Sequence, residues 1–169
     1  MNSPAAEPLP RAVAWLGYGG LLPFIALAAA TVAAQLSGQS GGQNGEYWPQ
    51  AWNAALLTYG AAILSFVGAL HWGFAMTLRD LTERQQTASF VWSVVPALVA
   101  WIALLTSPLL AAILLVAGFC VHYAQDRRLA AHADLPGWYL PMRLRLTAVA
   151  CLCLCAGALA PLLRTLPAA

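Results

Sequence analysis

Five long apolar stretches account for most of the chain, and the few charged residues lie mainly between them. A helix needs about 20 apolar residues to cross the hydrocarbon core of a bilayer, where backbone polar groups must be satisfied internally. The 169 residues therefore accommodate five such helices with short connections. We predict one integral membrane domain over residues 1–169, an all-α polytopic bundle of about five transmembrane helices. The predicted spans are residues 11–35, 51–78, 88–106, 109–123 and 144–163.

The basic residues are all arginines, and they fall almost entirely on one side of the predicted topology. Because cytoplasmic connections carry the excess of basic residues in membrane proteins, we expect the amino terminus inside and the carboxyl terminus outside. A glycine-rich outer loop is expected near residues 37–50. The inner arginines are Arg11, Arg79, Arg84, Arg127, Arg128, Arg143 and Arg145, and the outer one is Arg164.

The first span also has features of a signal peptide. Arg11 precedes an apolar run, and Val32-Ala33-Ala34 has the small residues of a cleavage site. The run is longer than the roughly 7–15 apolar residues of a signal peptide. We therefore expect a retained helix.

Composition and motifs exclude several classes of function. Charged residues make up 8% of the chain and form no basic run, which excludes nucleic-acid binding. The sequence has no nucleotide-binding loop, nucleophile elbow or zinc-protease helix. On a helix, Cys153 points away from Cys151 and Cys155, so this trio does not form a metal site. We predict no metal site, leave any cofactor open, and favour a non-enzymatic role over an enzymatic one.

A histidine occurs deep in the second span, within Gly68-Ala-Leu-His71-Trp72-Gly73. It lies about 12 Å along the helix from Arg79, below the level of the headgroups. A histidine at that depth is costly unless it is paired. His71 could serve as a proton relay, a haem or metal ligand, or a donor to a quinone or lipid headgroup. The simpler interpretation is one interhelical hydrogen bond.

Small residues follow two faces of the same span, which we call the first and second small-residue faces. Such faces let helices approach closely. They predict tight packing, including contact with a partner membrane protein or a second copy. The first face contains Gly60, Leu64, Gly68 and Ala75, and the second contains Ala61, Ser65, Ala69 and Gly73.

His122, near the end of the fourth span, is the expected partner of His71. It lies one turn before Asp126, and both histidines should have a similar depth. Two histidines on neighbouring helices could bind haem, and His122, Asp126, His132 and Asp134 could supply metal ligands. Neither spacing is specific.

The connection that follows contains Leu135-Pro-Gly-Trp138-Tyr139 and then Arg143. One interpretation is an interfacial anchor, with the aromatic rings at headgroup level and arginine facing phosphates. Another places Arg143 against Asp126 or Asp134, which would create a polar pocket beside the two histidines.

Several of these elements, together with Trp92, Pro96, Trp101 and Thr147, resemble an uncharacterised integral-membrane family. It is domain family thirty-four twenty-nine, the transmembrane protein sixty-nine-like proteins. The resemblance extends from about Arg11 to Thr147 and implies a protein of the bacterial inner (plasma) membrane, related to one of the mitochondrial inner membrane. It implies no activity, cofactor or partner. It also implies that six residues belong to one site: His71, Trp72, Asp126, Trp138, Tyr139 and Arg143.

Two functional hypotheses remain at this stage. The leading one is a membrane scaffold or accessory subunit that packs against a partner membrane protein, a second copy or lipid through the small-residue faces. The alternative is a quinone-, haem- or lipid-binding protein with a histidine pocket on the cytoplasmic side. The candidate ligand-binding residues are His71, Trp72, His122, Asp126, Trp138, Tyr139 and Arg143.

Overall fold

The computed structural model describes residues 8–37, 48–78 and 81–165, with side chains as far as residue 163. These residues form helices and short connections without any strand, which confirms the predicted all-α class. Within these described ranges, five segments are long and apolar enough to cross a membrane. The helices are α1 (Arg11–Gly19), α2 (Leu22–Leu36), α3 (Trp48–Thr77), α4 (Glu83–Leu104), α5 (Pro108–Ala130) and α6 (Tyr139–Leu159), followed by a 3-10 helix (Ala160–Thr165).

Not every predicted connection falls within the described residues. Most of the expected outer loop at residues 37–50 lies outside the described residues, and so does Arg79. The sidedness inferred from the arginines therefore stays a prediction.

The first span is two helices rather than the single helix predicted from its continuous apolar sequence. The break lies at Gly20 and Leu21, and Pro23 follows in the first turn of α2. A proline in this position loses no helical hydrogen bond, because the first amide groups of a helix have no partner within it. At the break, the hydroxyl of Tyr59 on α3 donates a hydrogen bond to the carbonyl oxygen of Gly20 at 2.8 Å.

We expect Tyr59→Phe to loosen this break. The substitution leaves a carbonyl oxygen without its side-chain donor, which should cost about 1 kcal/mol. Amide exchange in residues 11–22 should become faster in detergent-solubilised protein. Tyr123→Phe is the control, because the Tyr123 hydroxyl makes no hydrogen bond with any described residue. Equal exchange in the two variants would contradict the assignment.

Helix α3 is central and packs against α2, α4, α5 and α6. Its first small-residue face makes this possible. A Cβ atom on Gly60 would lie 3.2 Å from a methyl group of Leu154, and one on Gly68 would lie 2.8 Å from the ring of Pro96 on α4. Both glycines are therefore occupied by packing within the chain and are not free for a partner. This corrects the expectation that the first small-residue face contacts another protein.

The second small-residue face is only partly buried. Ala61 is buried and the Ser65 hydroxyl donates to its carbonyl oxygen, whereas Ala69 and Gly73 are exposed. A Cβ atom on Gly73 would meet nothing within 4 Å among the described residues. Association through this part of α3 stays a prediction.

The helices from α3 to α6 all extend beyond the predicted spans, and the extensions of α5 and α6 determine where the site residues lie. Helix α5 continues past Tyr123 to Ala130, so Asp126 is helical and lies one turn after His122. Helix α6 begins at Tyr139 rather than at residue 144, so Arg143 also lies on a helix. The α3–α4 and α5–α6 connections lie at the same end of the bundle, which we call the arginine-rich end.

Candidate functional site

A buried carboxylate, Asp126 on α5, is the centre of the site and has no exposed surface. His71 Nε2 on α3 lies 3.0 Å from its Oδ1. The hydroxyl of Tyr139 donates to the same oxygen at 3.2 Å, and Arg143 Nε donates to Oδ2 at 2.8 Å. An ionised carboxylate can only accept hydrogen bonds, so His71 carries its proton on Nε2. Three helices thus meet at one side chain.

The Asp126–Arg143 pair makes this buried cluster electrically neutral. Arg143 is always charged, and its side chain is only 8% exposed. Bringing one such charge into an apolar interior alone is very costly, and a close opposite charge offsets much of that cost. The sequence of α6 supplies both Tyr139 and Arg143, because residues four positions apart lie on the same face of a helix.

His122 lies beside this pair and its proton position is defined by Trp92 on α4. The indole Nε1 of Trp92 donates to His122 Nδ1 at 3.1 Å. An indole nitrogen can only donate, so Nδ1 is unprotonated and the neutral imidazole carries its proton on Nε2. That nitrogen lies 3.7 Å from Asp126 Oδ1, which is too far for a hydrogen bond. The rings of His71 and His122 pack edge to face, with their centroids 5.1 Å apart.

Some buried polar atoms near the cluster do not bind Asp126. His122 has a hydrogen-bonding neighbour in the backbone of Val67 on α3. Two donors on α6, Arg143 Nη2 and Thr147 Oγ1, have no hydrogen-bond partner among the described residues, and their residues are one turn apart. Buried polar groups are usually paired, so these two unpaired donors need an explanation.

A cleft of about 340 Å³ reaches the cluster from the arginine-rich end, between α3, α4 and α5. His71 forms part of its floor. Polar side chains line the walls: Gln85, Ser89, Gln125, Arg128 and His132. A more open depression of about 610 Å³ lies next to it and reaches Trp92, and the two share Ala88 and Gln125. The cluster is therefore buried on its membrane sides and approachable from one end of the bundle.

Five of the seven candidate residues lie together: His71, His122, Asp126, Tyr139 and Arg143. Trp72 does not join them. It is 49% exposed and packs against Phe90, because the residue after His71 is turned about 100° around the helix. Trp138 is half-buried against Tyr139, with ring centroids 6.4 Å apart.

Two further residues, one bonded to the cluster and one a turn from Arg143 on α6, were not assigned to a site from the sequence. Trp92 and Thr147 entered only through the family resemblance, without a role. Trp92 is the donor to His122, and Thr147 supplies one of the unpaired atoms. A signal was present in α6, where Thr147 follows Arg143 by four residues, but nothing in the sequence links Trp92 to α5.

The donor set does not fit a metal ion, although atoms of His71, His122 and Asp126 all lie within 4.8 Å of one another. Metal binding through His122 Nε2 would require both ring nitrogens to be unprotonated while Trp92 donates to Nδ1. The Arg143 cation bound to Asp126 would also repel a metal cation. Haem does not fit either. The rings of His71 and His122 pack edge to face, and the indole of Trp92 lies parallel to the His122 ring with centroids 6.3 Å apart. This packing leaves no space for a planar macrocycle between the rings.

Residues 9–159 match a protein family described as "Protein of unknown function (DUF3429)". The chain belongs to the DUF3429 family. The matched residues contain α1 to α6 and the whole Asp126 cluster. The chain is also 34% identical over 148 residues to "Transmembrane protein 69" of Xenopus tropicalis. The aligned region covers 86% of this chain and 53% of that protein, so this DUF3429 chain spans about half the length of its relative.

No solved structure matches this DUF3429 chain. The relative's name and the five apolar helices together establish a multi-pass membrane protein that contacts the lipid bilayer.

Proposed function

We propose that this DUF3429 protein binds a small polar ligand or lipid headgroup in the cleft that ends at His71. The observation that supports this most directly is the location of the cleft. It connects one end of a membrane bundle to a buried neutral cluster of charged and hydrogen-bonding groups, and such convergent polar groups in a concave site are typical of ligand sites. Because most arginines lie at the end of the bundle where the cleft opens, and basic residues mark the cytoplasmic side, the cleft of this proposal opens to the cytoplasm at a bacterial inner membrane.

The role of each group follows from its position. His71 donates Nε2–H to Asp126, which fixes its orientation and leaves Nδ1 as a proton acceptor. Gln85 and Gln125 offer amide donors and acceptors at the walls, and Arg128 offers a charge to an acidic headgroup. These groups bind and orient a ligand, and we propose no chemical reaction.

The test compares two exposed alanines changed to phenylalanine. Ala88 lines the cleft, whereas Ala62 is exposed on α3 and lines neither cleft. Each protein is purified in mild detergent, and the lipids and quinones bound per chain are measured by mass spectrometry. We expect wild type and Ala62→Phe to retain a stoichiometric ligand and Ala88→Phe to lose it. Equal retention in both variants, or no ligand in wild type, would refute the proposal.

A second candidate is an accessory subunit that associates with a partner membrane protein through the exposed part of the second small-residue face. The supporting observation is that Ala69 and Gly73 are exposed on α3 beside Trp72, at the level of the site. If this is the function, Gly73→Leu should release a partner chain from the native particle while the protein stays folded. An unchanged native mass would exclude it.

A further inference from the structure

We infer that the cleft binds a phosphate whose headgroup ends in a hydroxyl, such as a phosphoglycerol group. The inference rests on the proposed function, because it names the chemistry of the ligand that the same cleft takes. The volume of about 340 Å³ lies in the range typical of ligand sites. We call Gln85, Gln125 and Arg128 the wall donors, and His71 and Ser89 the floor pair; all five line the cleft.

The wall of the cleft presents hydrogen-bond donors. Gln85 Oε1 already accepts from the backbone amide and the hydroxyl of Thr82, at 2.9 and 2.8 Å. Gln125 Oε1 accepts from Arg128 Nη1 at 2.9 Å. What these two glutamines offer a ligand is therefore mainly their NH2 groups. The remaining N–H groups of Arg128 add further donors and a permanent positive charge.

The charge of the cleft favours an anion. Among the described residues that line it, Arg128 is permanently charged and none is acidic. Asp126 lies behind the floor, but Arg143 already neutralises it. Guanidinium and amide N–H groups are typical donors to phosphate oxygens. Arg128 is exposed, so a phosphate bound there keeps contact with water and avoids the cost of burying its charge.

The floor of the cleft requires a different partner. His71 donates Nε2–H to Asp126, so its Nδ1 is an acceptor, and this nitrogen makes no hydrogen bond with another described residue. Ser89 on α4 is 7% exposed, yet its hydroxyl oxygen is neither bonded to a described residue nor fully buried. Buried polar groups are usually paired, so two unpaired groups that line one cleft indicate a polar ligand group at its floor.

A hydroxyl group on the ligand satisfies the floor pair. It can donate to His71 Nδ1 and accept from the Ser89 hydroxyl, and it adds no charge. A quinone carbonyl cannot donate to Nδ1. A primary ammonium can, but its positive charge would enter a buried region in which Asp126 and Arg143 already cancel. The ligand therefore has a phosphate for the wall donors and a hydroxyl for the floor pair.

Two sources provide this chemistry: a glycerophospholipid with a hydroxylated headgroup, and a free polyol phosphate. The open depression next to the cleft favours the lipid. It shares Ala88 and Gln125 with the cleft and is also lined by Val91 and Trp92 on α4. Val91 is 60% exposed, so the depression gives acyl chains an apolar path along the outside of α4.

Two matched pairs of variants test the two parts of the site. Ser89→Ala removes the floor hydroxyl. Its control is Ser93→Ala, because Ser93 is also buried on α4 but its hydroxyl donates to the carbonyl oxygen of Phe90 at 2.7 Å. Arg128→Gln removes the charge of the wall. Its control is Arg127→Gln, which removes a neighbouring exposed charge that lines neither cleft.

Dissociation constants are measured for the full chain in mild detergent by native mass spectrometry with five probes. Dioleoyl phosphatidylglycerol carries the phosphate and the hydroxyl. Dioleoyl phosphatidylmethanol keeps the anionic phosphate without a hydroxyl, and dioleoylglycerol keeps a hydroxyl without phosphate. Dioleoyl phosphatidylethanolamine carries an ammonium group in place of the hydroxyl. Glycerol 1-phosphate carries both groups without acyl chains.

We expect wild type to bind phosphatidylglycerol about threefold to tenfold more tightly than phosphatidylmethanol, and more tightly than dioleoylglycerol. Arg128→Gln should weaken the binding of phosphatidylglycerol about tenfold and reduce its dependence on salt, because salt screens an exposed ion pair. Ser89→Ala should weaken phosphatidylglycerol about threefold and leave phosphatidylmethanol unchanged. Ser93→Ala and Arg127→Gln should bind every probe like wild type.

Other outcomes separate the two proposals. Comparable binding of glycerol 1-phosphate would identify a soluble phosphate as the ligand, and no binding of it would identify the lipid; both results support the inference. Equal binding of phosphatidylglycerol and phosphatidylmethanol, tighter binding of phosphatidylethanolamine, or equal weakening by Arg127→Gln would overturn it. The proposed function then remains if Ala88→Phe removes the ligand carried from the membrane. If wild type carries no ligand and binds no probe, both proposals fail.

Discussion

Asp126→Ala should lower the free energy of unfolding by about 3–5 kcal/mol, because it leaves Arg143 as an unpaired buried charge. The carboxylate is fully buried and receives Arg143 Nε at 2.8 Å. His71 and Tyr139 would lose their acceptor as well. The measurement is unfolding by a denaturing detergent titrated into micelles of a mild one. The variant should unfold at a much lower fraction of denaturing detergent than wild type.

Two further variants make this expectation specific to the ion pair. Asp134→Ala removes an exposed carboxylate from the same region and should unfold like wild type. The double variant Asp126→Leu with Arg143→Met removes both charges and should recover much of the loss, since apolar replacements of buried ion pairs are often neutral. Wild-type stability in Asp126→Ala, or no recovery in the double variant, would show that the pair does not stabilise the bundle.

Gly68→Leu should separate α3 from α4 and destabilise the protein by about 3 kcal/mol or more, beyond the usual range for overpacking. Even a Cβ atom at this position would lie 2.8 Å from two ring carbons of Pro96. The ring is rigid and buried, so neither side can move aside cheaply. The same detergent titration measures the loss, and the yield of folded protein should fall in parallel.

The matched control is Gly73→Leu, on the same helix but facing no described residue within 4 Å. It carries the same change in helix propensity and side-chain volume. We expect wild-type stability or a small gain, because leucine is the better helix former. Equal destabilisation at both positions would mean that the contact with Pro96 is not what limits the size of residue 68.

The number of membrane spans and the all-α class could be predicted because a bilayer permits few alternatives to a helical segment of about 20 apolar residues. The break near Gly20 could not. It depends on the Tyr59 hydroxyl from another helix, and the apolar sequence continues across it. The ends of α5 and α6 were also misjudged, because apolarity marks the hydrocarbon core whereas helical hydrogen bonding continues into polar segments such as the one with Asp126.

Part of the site could be predicted from the sequence, because a polar side chain inside an apolar span costs free energy and therefore indicates a specific role. This argument selected His71 and His122, and helix continuity then brought in Asp126. It failed for Trp72, which is adjacent in sequence but faces away. The role of Trp92 could not be predicted, because it depends on how α4 and α5 are rotated relative to each other, which a single sequence does not specify.

The distribution of charge between α5 and α6 also bears on how the protein is built into the membrane. Asp126 lies near the end of α5 and Arg143 near the start of α6, so each helix on its own carries a buried charge that the other neutralises. The connection between them is only residues 131–138. Biogenesis of the two helices is thereby coupled: they are best integrated into the bilayer as a preassembled hairpin, with the second helix neutralising the first before either faces lipid alone.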